Sequence, residues 1–277
     1  MQPDFEIQVS KAERFQFGKN WRAFLETVNE TRIHNAEVSL KEMLGVESLS
    51  GLSFLDAGCG SGLFSLAAIR LGAKKVHSFD YDPASVACAA ELKRRFAPDA
   101  AHWQIESGNV LDKNYLAGLG TFDIVYSWGV LHHTGNMAQA LENILIPLGA
   151  HGRLFISIYN DQGRASRIWT KVKKLYNNLP GGLRFLMLIP ATVIFWGPTI
   201  LRDLLQKGRP FDSWRNYSKN RGMSAWHDVV DWIGGFPFEV ARPETIFNFY
   251  YARGLELQRL KTVGGSLGNN EFVFMKK

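Results

Sequence analysis

The chain of 277 residues is long enough for one large globular domain, or for a domain with an insertion, because 46% of its residues are hydrophobic and can supply a core. Its two cysteines, Cys59 and Cys88, exclude a disulfide framework and indicate reduced thiols, so we expect a cytoplasmic protein. The formal net charge of +6 is modest, and Met1–Glu6 has no basic stretch followed by an apolar one, so we expect no export signal.

Residues 1–50 predict an N-terminal helical cap ahead of the first strand. Apolar residues recur at helical spacing over Trp21–Val28 and again over Val38–Leu44. Before them, Arg14–Trp21 clusters aromatic residues around a glycine and an amide. Such a segment can close over a bound ligand or pack on the sheet as a plain cap, and both interpretations stay open.

Residues 51–160 alternate short apolar strands with helices, which predicts a mostly parallel α/β sheet. Ligands of such sheets bind beyond the carboxyl ends of the strands. The predicted strands are Ser53–Ala57, Lys75–Phe79, His102–Glu106, Phe122–Ser127 and Arg153–Tyr159. Polar residues at or just after these ends mark the expected site: Asp56, Asp80, Asn109, Ser127 and Asn160.

A glycine-rich loop follows the first strand and precedes an apolar, helix-prone run. Gly58, Gly60 and Gly62 alternate with other residues, and Asp56 stands just before them. Backbone N–H groups without side chains in the way suit a flat or phosphorylated ligand. Since the Gly-Lys-Ser/Thr of a P-loop is absent, the ligand need not carry phosphates. About 20 residues further on, Asp80 ends the second strand, where an acid accepts both ribose hydroxyls.

In these features the chain resembles the class I S-adenosylmethionine-dependent methyltransferases. Asp56-x-Gly58-x-Gly60-x-Gly62 matches their first motif and Asp80 their ribose acid, while Gly108–Asp112 resembles the adenine segment and Phe122–Ser127 the fourth strand. The resemblance implies an enzyme with a Rossmann-like open seven-stranded sheet, mostly parallel, with a closing antiparallel hairpin. It implies S-adenosyl-L-methionine as cofactor, bound by Asp56, Gly58, Cys59, Gly60, Asp80, Tyr81, Asn109, Val110 and Ser127.

Two histidines follow the fourth strand, within the polar stretch Trp128–Asn136. His132 and His133 are candidates for the general base, because imidazole titrates near neutrality; a capping or packing role is the alternative. The Leu-His-His here is similar to that of ubiquinone-pathway O-methyltransferases, which act on small molecules. The Asn/Asp-Pro-Pro-Tyr motif of methyltransferases that modify bases of nucleic acids is absent, which argues against base N-methylation.

Residues 161–240 exceed the single helix that the core fold needs here, so we expect a helical insertion before the last helix. Twelve lysines and arginines stand against three aspartates over 161–221. Inside it, Phe185–Leu201 has no charged residue, yet Pro190 and Pro198 are expected to break a membrane-spanning helix. A buried hairpin, a lid over the site or an element on an anionic membrane surface are the interpretations left open.

The segment Asn220–Glu239 is dense in tryptophan, glycine and acids. His227 is a third candidate base, and its i, i+4 spacing to Asp231 makes these two the better-placed pair; a structural loop is the alternative. Pro243–Gly254 then predicts the last helix, and Leu255–Val263 with Glu271–Met275 predicts the closing hairpin around residues 264–270. No Cys/His spacing suits a metal.

These patterns together favour transfer of a methyl group to a hydroxyl of a small or lipid-linked acceptor. This predicts a closed, partly apolar pocket formed by the insertion, with peripheral attachment to an anionic membrane as a further expectation. The alternative is an RNA-modifying methyltransferase, which predicts one continuous stripe of the insertion's cations leading to the strand ends. A scaffold protein with an inactive fold is the third hypothesis. The expected division is a cap (1–50), a methyltransferase core (51–160 and 241–277) and an insertion or lid (161–240).

Overall fold

The computed structural model describes residues 3–219, 221–264 and 268–277, and one seven-stranded sheet lies at its centre. The strands stand in the order β3-β2-β1-β4-β5-β7-β6. The first five pair in parallel and β7 lies antiparallel between β5 and β6. Their bounds are β1 Ser53–Ala57, β2 Lys75–Asp80, β3 Trp103–Ser107, β4 Phe122–Trp128, β5 Leu148–Tyr159, β6 Leu255–Lys261 and β7 Asn269–Lys276.

The predicted fold class is therefore confirmed, and most strand bounds differ by only one or two residues. Strand β5 is the larger exception, since it begins at Leu148 rather than Arg153. Leu148 pairs with Phe122 across a bulge in the β4–β5 register, so the extra pairing depends on contacts that are not local. Of the predicted linker 264–270, residues 265–267 lie outside the described part of the chain.

Helices cover both faces of the sheet. The N-terminal and core helices are α1 Pro3–Ser10, α2 Phe17–Leu25, α3 Glu30–Leu44, α4 Leu63–Arg70, α5 Pro83–Phe96, α6 Lys113–Gly118 and α7 Met137–Asn143. The later ones are α8 Arg164–Asn178, α9 Phe185–Lys207, α10 Asp212–Arg215, α11 Ala225–Gly234 and α12 Pro243–Tyr251.

Two apolar cores sandwich the sheet. One contains Phe54 and Phe155 with residues of α3 and α4, and the other contains Val125 and Phe272 with residues of α7 and α12. Strands β1 and β4 and the second half of β5 are buried on both faces and read as mostly apolar runs in the sequence, whereas the edge strand β3 is largely exposed. This arrangement leaves the carboxyl ends of β1, β2 and β4 as the open edge over which the site is built.

The segment 161–240, between β5 and α12, carries α8 to α11. A third apolar cluster joins this insertion to the N-terminal cap, since Phe15 packs with Tyr176, Ala191 and Ile233. The expectation that Pro190 and Pro198 break the stretch Phe185–Leu201 was wrong, and so was the buried hairpin. The stretch lies in the single helix α9, because a proline removes one backbone donor and the helix continues through its other bonds.

Candidate active site

The loop between β1 and α4 presents bare backbone to a cavity of about 600 Å³. The amides of Gly58 and Cys59 both donate to the carbonyl of Phe79, at 2.8 and 3.0 Å. Gly60 has a φ of +54°, and a Cβ atom there would lie 2.9 Å from the indole ring of Trp21. A side chain at this position would therefore meet both backbone strain and a steric clash, which keeps the loop free for close approach of a ligand.

Asp80, at the end of β2, faces this loop. Its Oδ2 accepts a hydrogen bond from the amide of Gly60 and its Oδ1 one from the amide of Asp82, both at 2.9 Å. Burial raises the pKa of Asp80 to about 6, and the amide bonds oppose that rise. At neutral pH the carboxylate is therefore mostly ionised and can accept hydrogen bonds from a pair of hydroxyls.

Asp56, at the end of β1, is buried beneath the loop. The hydroxyl of Ser65 donates to its Oδ2 at 2.5 Å, the hydroxyl of Ser78 donates to Ser65, and the indole of Trp103 donates to Ser78. Burial raises the pKa of Asp56 to about 7. This chain of hydrogen bonds fixes the start of the glycine loop from below.

The loop after β3 forms the next wall of the cavity. Asn109 and Val110 line it, and the side chain of Asn109 accepts a hydrogen bond from the amide of Leu111 at 2.9 Å. Tyr81, after β2, lines it on the same side. The side-chain amide of Asn143 donates to the carbonyl of Val110 at 3.0 Å and holds this wall in place.

Ser127 does not line the cavity, although it was expected to bind the cofactor. Its side chain is fully buried, and its hydroxyl donates to the carbonyl of Ala57 at 2.9 Å. Ser127 therefore braces β1 against β4, because its buried hydroxyl is used in this bond to the neighbouring strand.

The N-terminal segment closes over these walls. The guanidinium of Arg14 donates to the carbonyls of His133 and Thr134, at 2.9 and 3.1 Å, and lies 5.0 Å from the ring centroid of Tyr81. The amide of Gly18 donates to the carboxylate of Asp82 at 2.7 Å. Of the two interpretations left open for this segment, these contacts favour a lid.

The insertion encloses the opposite side of the cavity with aromatic rings and acids. The insertion residues that line it are Phe195, Trp196, Tyr217, Arg221, Met223, Ala225, Asp228, Val229, Asp231 and Trp232. Trp128 and Tyr159, at the ends of β4 and β5, lie across from it in the same cavity. The cavity thus has a half made mainly of backbone and carboxylate, and a half made mainly of aromatic side chains.

Arg221 and Asp228 are two of the ionisable groups that line the aromatic half. The guanidinium of Arg221 lies 3.3 Å from the ring centroid of Trp128 and donates to the hydroxyl of Tyr126 at 2.9 Å. Asp228 accepts a hydrogen bond from the hydroxyl of Tyr217 at 2.6 Å, and burial raises its pKa to about 6. The contacts of Arg221 and Asp228 could not be predicted from the local sequence, because their partners lie in other elements of the fold.

His133 is the one of the three histidine candidates that lines the cavity. Its Nδ1 lies 2.6 Å from the carbonyl of Pro237, and since a carbonyl only accepts, Nδ1 carries the proton. In the neutral ring Nε2 therefore keeps a free lone pair. Burial, and then the charges of Lys173 and Arg14, lower the pKa of His133 to about 3, so the ring is neutral at physiological pH.

The structure does not bring His132 and His227 into the cavity. His132 is fully buried behind His133, with ring centroids 4.4 Å apart, and burial lowers its pKa well below the usual value. His227 lies against Phe24, and its Nδ1 is 2.8 Å from the hydroxyl of Ser224. Asp231 instead accepts from the side-chain amide of Asn20, so the expected His227–Asp231 pair does not form.

Lys173, on α8, is a buried cation that the sequence analysis did not single out. Its ammonium donates to the carbonyl of Trp232 and lies 4.6 Å from the ring centroid of Phe238 and 5.5 Å from that of Tyr159. Burial lowers its pKa to about 7. Placed there, it ties α8 to α11, and its charge adds to the effect of burial in lowering the pKa of His133.

The cavity fits a nucleoside-bearing ligand in size and in chemistry. Its volume is in the range of small-molecule sites, and it offers a bare glycine loop, an acid for hydroxyls and a partly apolar wall after β3. Residues 48–217, more than half of the chain, match the family model described as a methyltransferase domain. The chain belongs to this methyltransferase family.

Curated proteins match parts of the sequence of this class I methyltransferase. It is 44% identical over 61 residues to the ribosomal protein L11 methyltransferase of Xanthomonas campestris, which is 22% of this chain and 20% of that protein. It is 27% identical over 135 residues to the protein of the same name from Pseudomonas aeruginosa, 44% of this chain and 46% of that one. The methyltransferase thus spans less than half the length of these curated relatives.

Among solved structures, this chain is similar to the magnesium protoporphyrin IX methyltransferase of Synechocystis, which was crystallised with bound SAH. The TM-score is 0.54, and the sequences are 15% identical over 94% of both chains. At this identity the likeness shows the fold. The residues that fit S-adenosylmethionine, the donor expected from the sequence, are the backbone of Gly58–Gly60, the carboxylate of Asp80 and the wall at Tyr81, Asn109 and Val110.

Proposed function

We propose that the methyltransferase transfers the methyl group to a hydroxyl oxygen of a small acceptor with an apolar body. The observation that carries this proposal is the aromatic half of the cavity, enclosed by the insertion. Phe195, Trp196 and Trp232 face Trp128 and Tyr159 there. Such a pocket buries the body of a small molecule, and its few polar groups orient it.

The chain's own part in the chemistry is to hold both reactants and to take one proton. When bound, S-adenosylmethionine supplies a methyl group made electrophilic by the adjoining positive sulfur. The glycine loop and Asp80 hold the donor, and the aromatic half positions the acceptor. Enclosing the two reactants in one cavity supplies much of the rate enhancement through proximity and orientation.

The proton that the hydroxyl loses goes to Nε2 of His133 in this proposal. The bond from Nδ1 to the carbonyl of Pro237 keeps Nε2 unprotonated and fixes the ring. A pKa of about 3 makes His133 a weak base. That is sufficient here, because a hydroxyl oxygen becomes strongly acidic as it gains the methyl group and then gives up its proton readily. Asp228 is another cavity group able to accept a proton, and it lies in the aromatic half.

The RNA-modifying alternative has less support from the residues that line the cavity. Of the twelve lysines and arginines over 161–221, Arg221 is the one in the cavity wall, and it is stacked on Trp128 rather than free for phosphates. A protein acceptor is a further alternative, which the names of the curated relatives raise. Both are outcomes that the following experiment separates.

The test is to incubate the purified chain with a cell extract and methyl-labelled donor, and then to separate protein, RNA and small molecules. We expect the label in a small molecule that extracts into organic solvent, with mass spectrometry placing it on oxygen. The Asp80→Ala variant supplies the background. Label that enters RNA or protein in an Asp80-dependent way would contradict the proposal and identify the acceptor class instead.

A further inference from the structure

The outer face of α9 is apolar over most of its length, up to the last turn with Gln206 and Lys207, whereas an ordinary surface helix has a polar outer face. Leu186, Ile189, Val193, Leu201 and Leu205 recur at helical spacing and are 56–76% exposed. A surface helix of a globular protein normally turns charged residues outward. In the described part of the chain, α9 with the turn before it is the one helical segment long and apolar enough to cross a membrane, and only 6% of its most apolar window is buried.

The inner face of the same helix belongs to the folded body. Ala191 is buried, and the ring of Phe195 stacks on that of Trp169 with centroids 5.2 Å apart. Phe195 and Trp196 also line the cavity. A helix that crossed a membrane would lose these contacts, so the geometry requires one that lies flat, with its outer face available to another apolar phase.

Helix α8, whose Trp169 stacks on Phe195 of α9, has a basic exposed face. Arg164, Arg167, Lys171 and Lys174 recur at i, i+3, i+7 and i+10, are all exposed and have no acidic partner among the described residues. The sequence of α8 contains no acid. Ile168 and Leu175, 61% and 56% exposed, lie on the same face. Basic and apolar side chains together on an exposed face suit the headgroup region of an anionic bilayer.

We propose that the methyltransferase docks on an anionic lipid bilayer through this surface, formed by the exposed faces of α8 and α9. The charge of α8 selects an anionic membrane over a neutral one, and the apolar stripe of α9 enters the boundary between headgroups and acyl chains. A second copy of the chain would cover the apolar stripe equally well but would not need the cations. Docking does not depend on the proposed acceptor, so either proposal can fail alone.

The test measures co-sedimentation of the full chain with vesicles of phosphatidylcholine, with and without phosphatidylglycerol. We expect binding to the anionic vesicles only, and weaker binding as salt rises. The Lys171→Gln/Lys174→Gln variant should bind about 30-fold more weakly, since each basic residue near such a surface contributes about fivefold. Lys113→Gln/Lys277→Gln removes the same charge from exposed positions elsewhere and should bind as the original chain does.

A second pair of variants tests the contribution of the apolar stripe of α9. Ile189→Ser/Val193→Ser should reduce vesicle binding at least about tenfold. Ile146→Ser/Leu260→Ser changes two exposed apolar residues outside the insertion and should leave vesicle binding unchanged. Circular dichroism and donor affinity show whether each variant is folded. The proposal is overturned if the original chain stays in solution with anionic vesicles. It is also overturned if the chain forms a dimer that Ile189→Ser/Val193→Ser dissociates while the lysine variant binds vesicles normally.

Discussion

The amide of Gly60 donates a hydrogen bond to the carboxylate of Asp80 at 2.9 Å, across the gap between the ends of β1 and β2. This bond links the two parts of the donor site, the bare loop and the acid. Gly60 also packs against Trp21 of the N-terminal lid. The glycine loop, the acid Asp80 and the lid therefore form one unit. Five predictions test this unit and the proposed chemistry beside it.

Replacing Gly60 with alanine should weaken donor binding by at least about tenfold. An alanine here would have to adopt a positive φ, which costs about 1–2 kcal/mol. Its Cβ atom would also lie 2.9 Å from the ring of Trp21. Calorimetric titration with S-adenosylmethionine measures the effect. Gly118→Ala is the matched control, since nothing lies within 4 Å of its Cβ position and its φ is not positive. Equal affinities for the two variants would contradict the predicted role of the loop.

Donor affinity should fall as the pH drops below about 6. Burial raises the pKa of Asp80 to about 6, so the carboxylate takes up a proton in this range and loses acceptor capacity for hydroxyls. The same titration, repeated across pH, gives the profile. Asp80→Asn should bind about tenfold or more weakly at neutral pH and should lose this inflection. An unchanged inflection in Asp80→Asn would assign it to another group, such as Asp56.

Turnover at saturating donor distinguishes His133 from Asp228 as the base. With a pKa of about 3, His133 is unprotonated throughout the neutral range, so the rate should stay flat between about pH 5 and about pH 8. If Asp228 takes the proton, the rate should instead fall below about pH 6, as its carboxylate becomes protonated.

His133→Ala should lower kcat by about 10²- to 10⁴-fold and leave donor affinity unchanged. His227→Ala makes the same change outside the cavity and should have little effect on kcat. If His133→Ala turns over as fast as the original chain, His133 has no part in the chemistry and Asp228 becomes the candidate to test.

Arg14→Ala should speed release of the donor by about tenfold. Its guanidinium holds the lid through the carbonyls of His133 and Thr134, and hydrogen bonds from a charged donor contribute about 1.5–3 kcal/mol each. Stopped-flow fluorescence of the nearby Trp21 can follow release. Lys11→Ala removes an exposed cation from the same segment and serves as the control. Identical release rates would show that the lid does not retain the donor.

The donor half of the site was largely predictable from the sequence, because each of its parts is local. The glycine loop after β1, the acid at the end of β2 and the wall after β3 follow from residue type and position at a strand end. The same reasoning placed Ser127 in the donor site, because it stands near a strand end. Its hydroxyl instead donates to the carbonyl of Ala57, and the direction of a side chain cannot be read from its position in the sequence.

Local sequence thus determined the fold class, the family and the place predicted for the donor, since strand periodicity and glycine spacing act over a few residues. Only the tertiary structure decided the acceptor half and the state of its groups. Trp128, Tyr159, Phe195 and Trp232 reach one cavity from four separate elements. The tautomer of His133 is set by Pro237, 104 residues away in the chain. Whether the apolar helix α9 faces a core or solvent likewise depends on what packs against it, because an apolar sequence has the same composition in either setting.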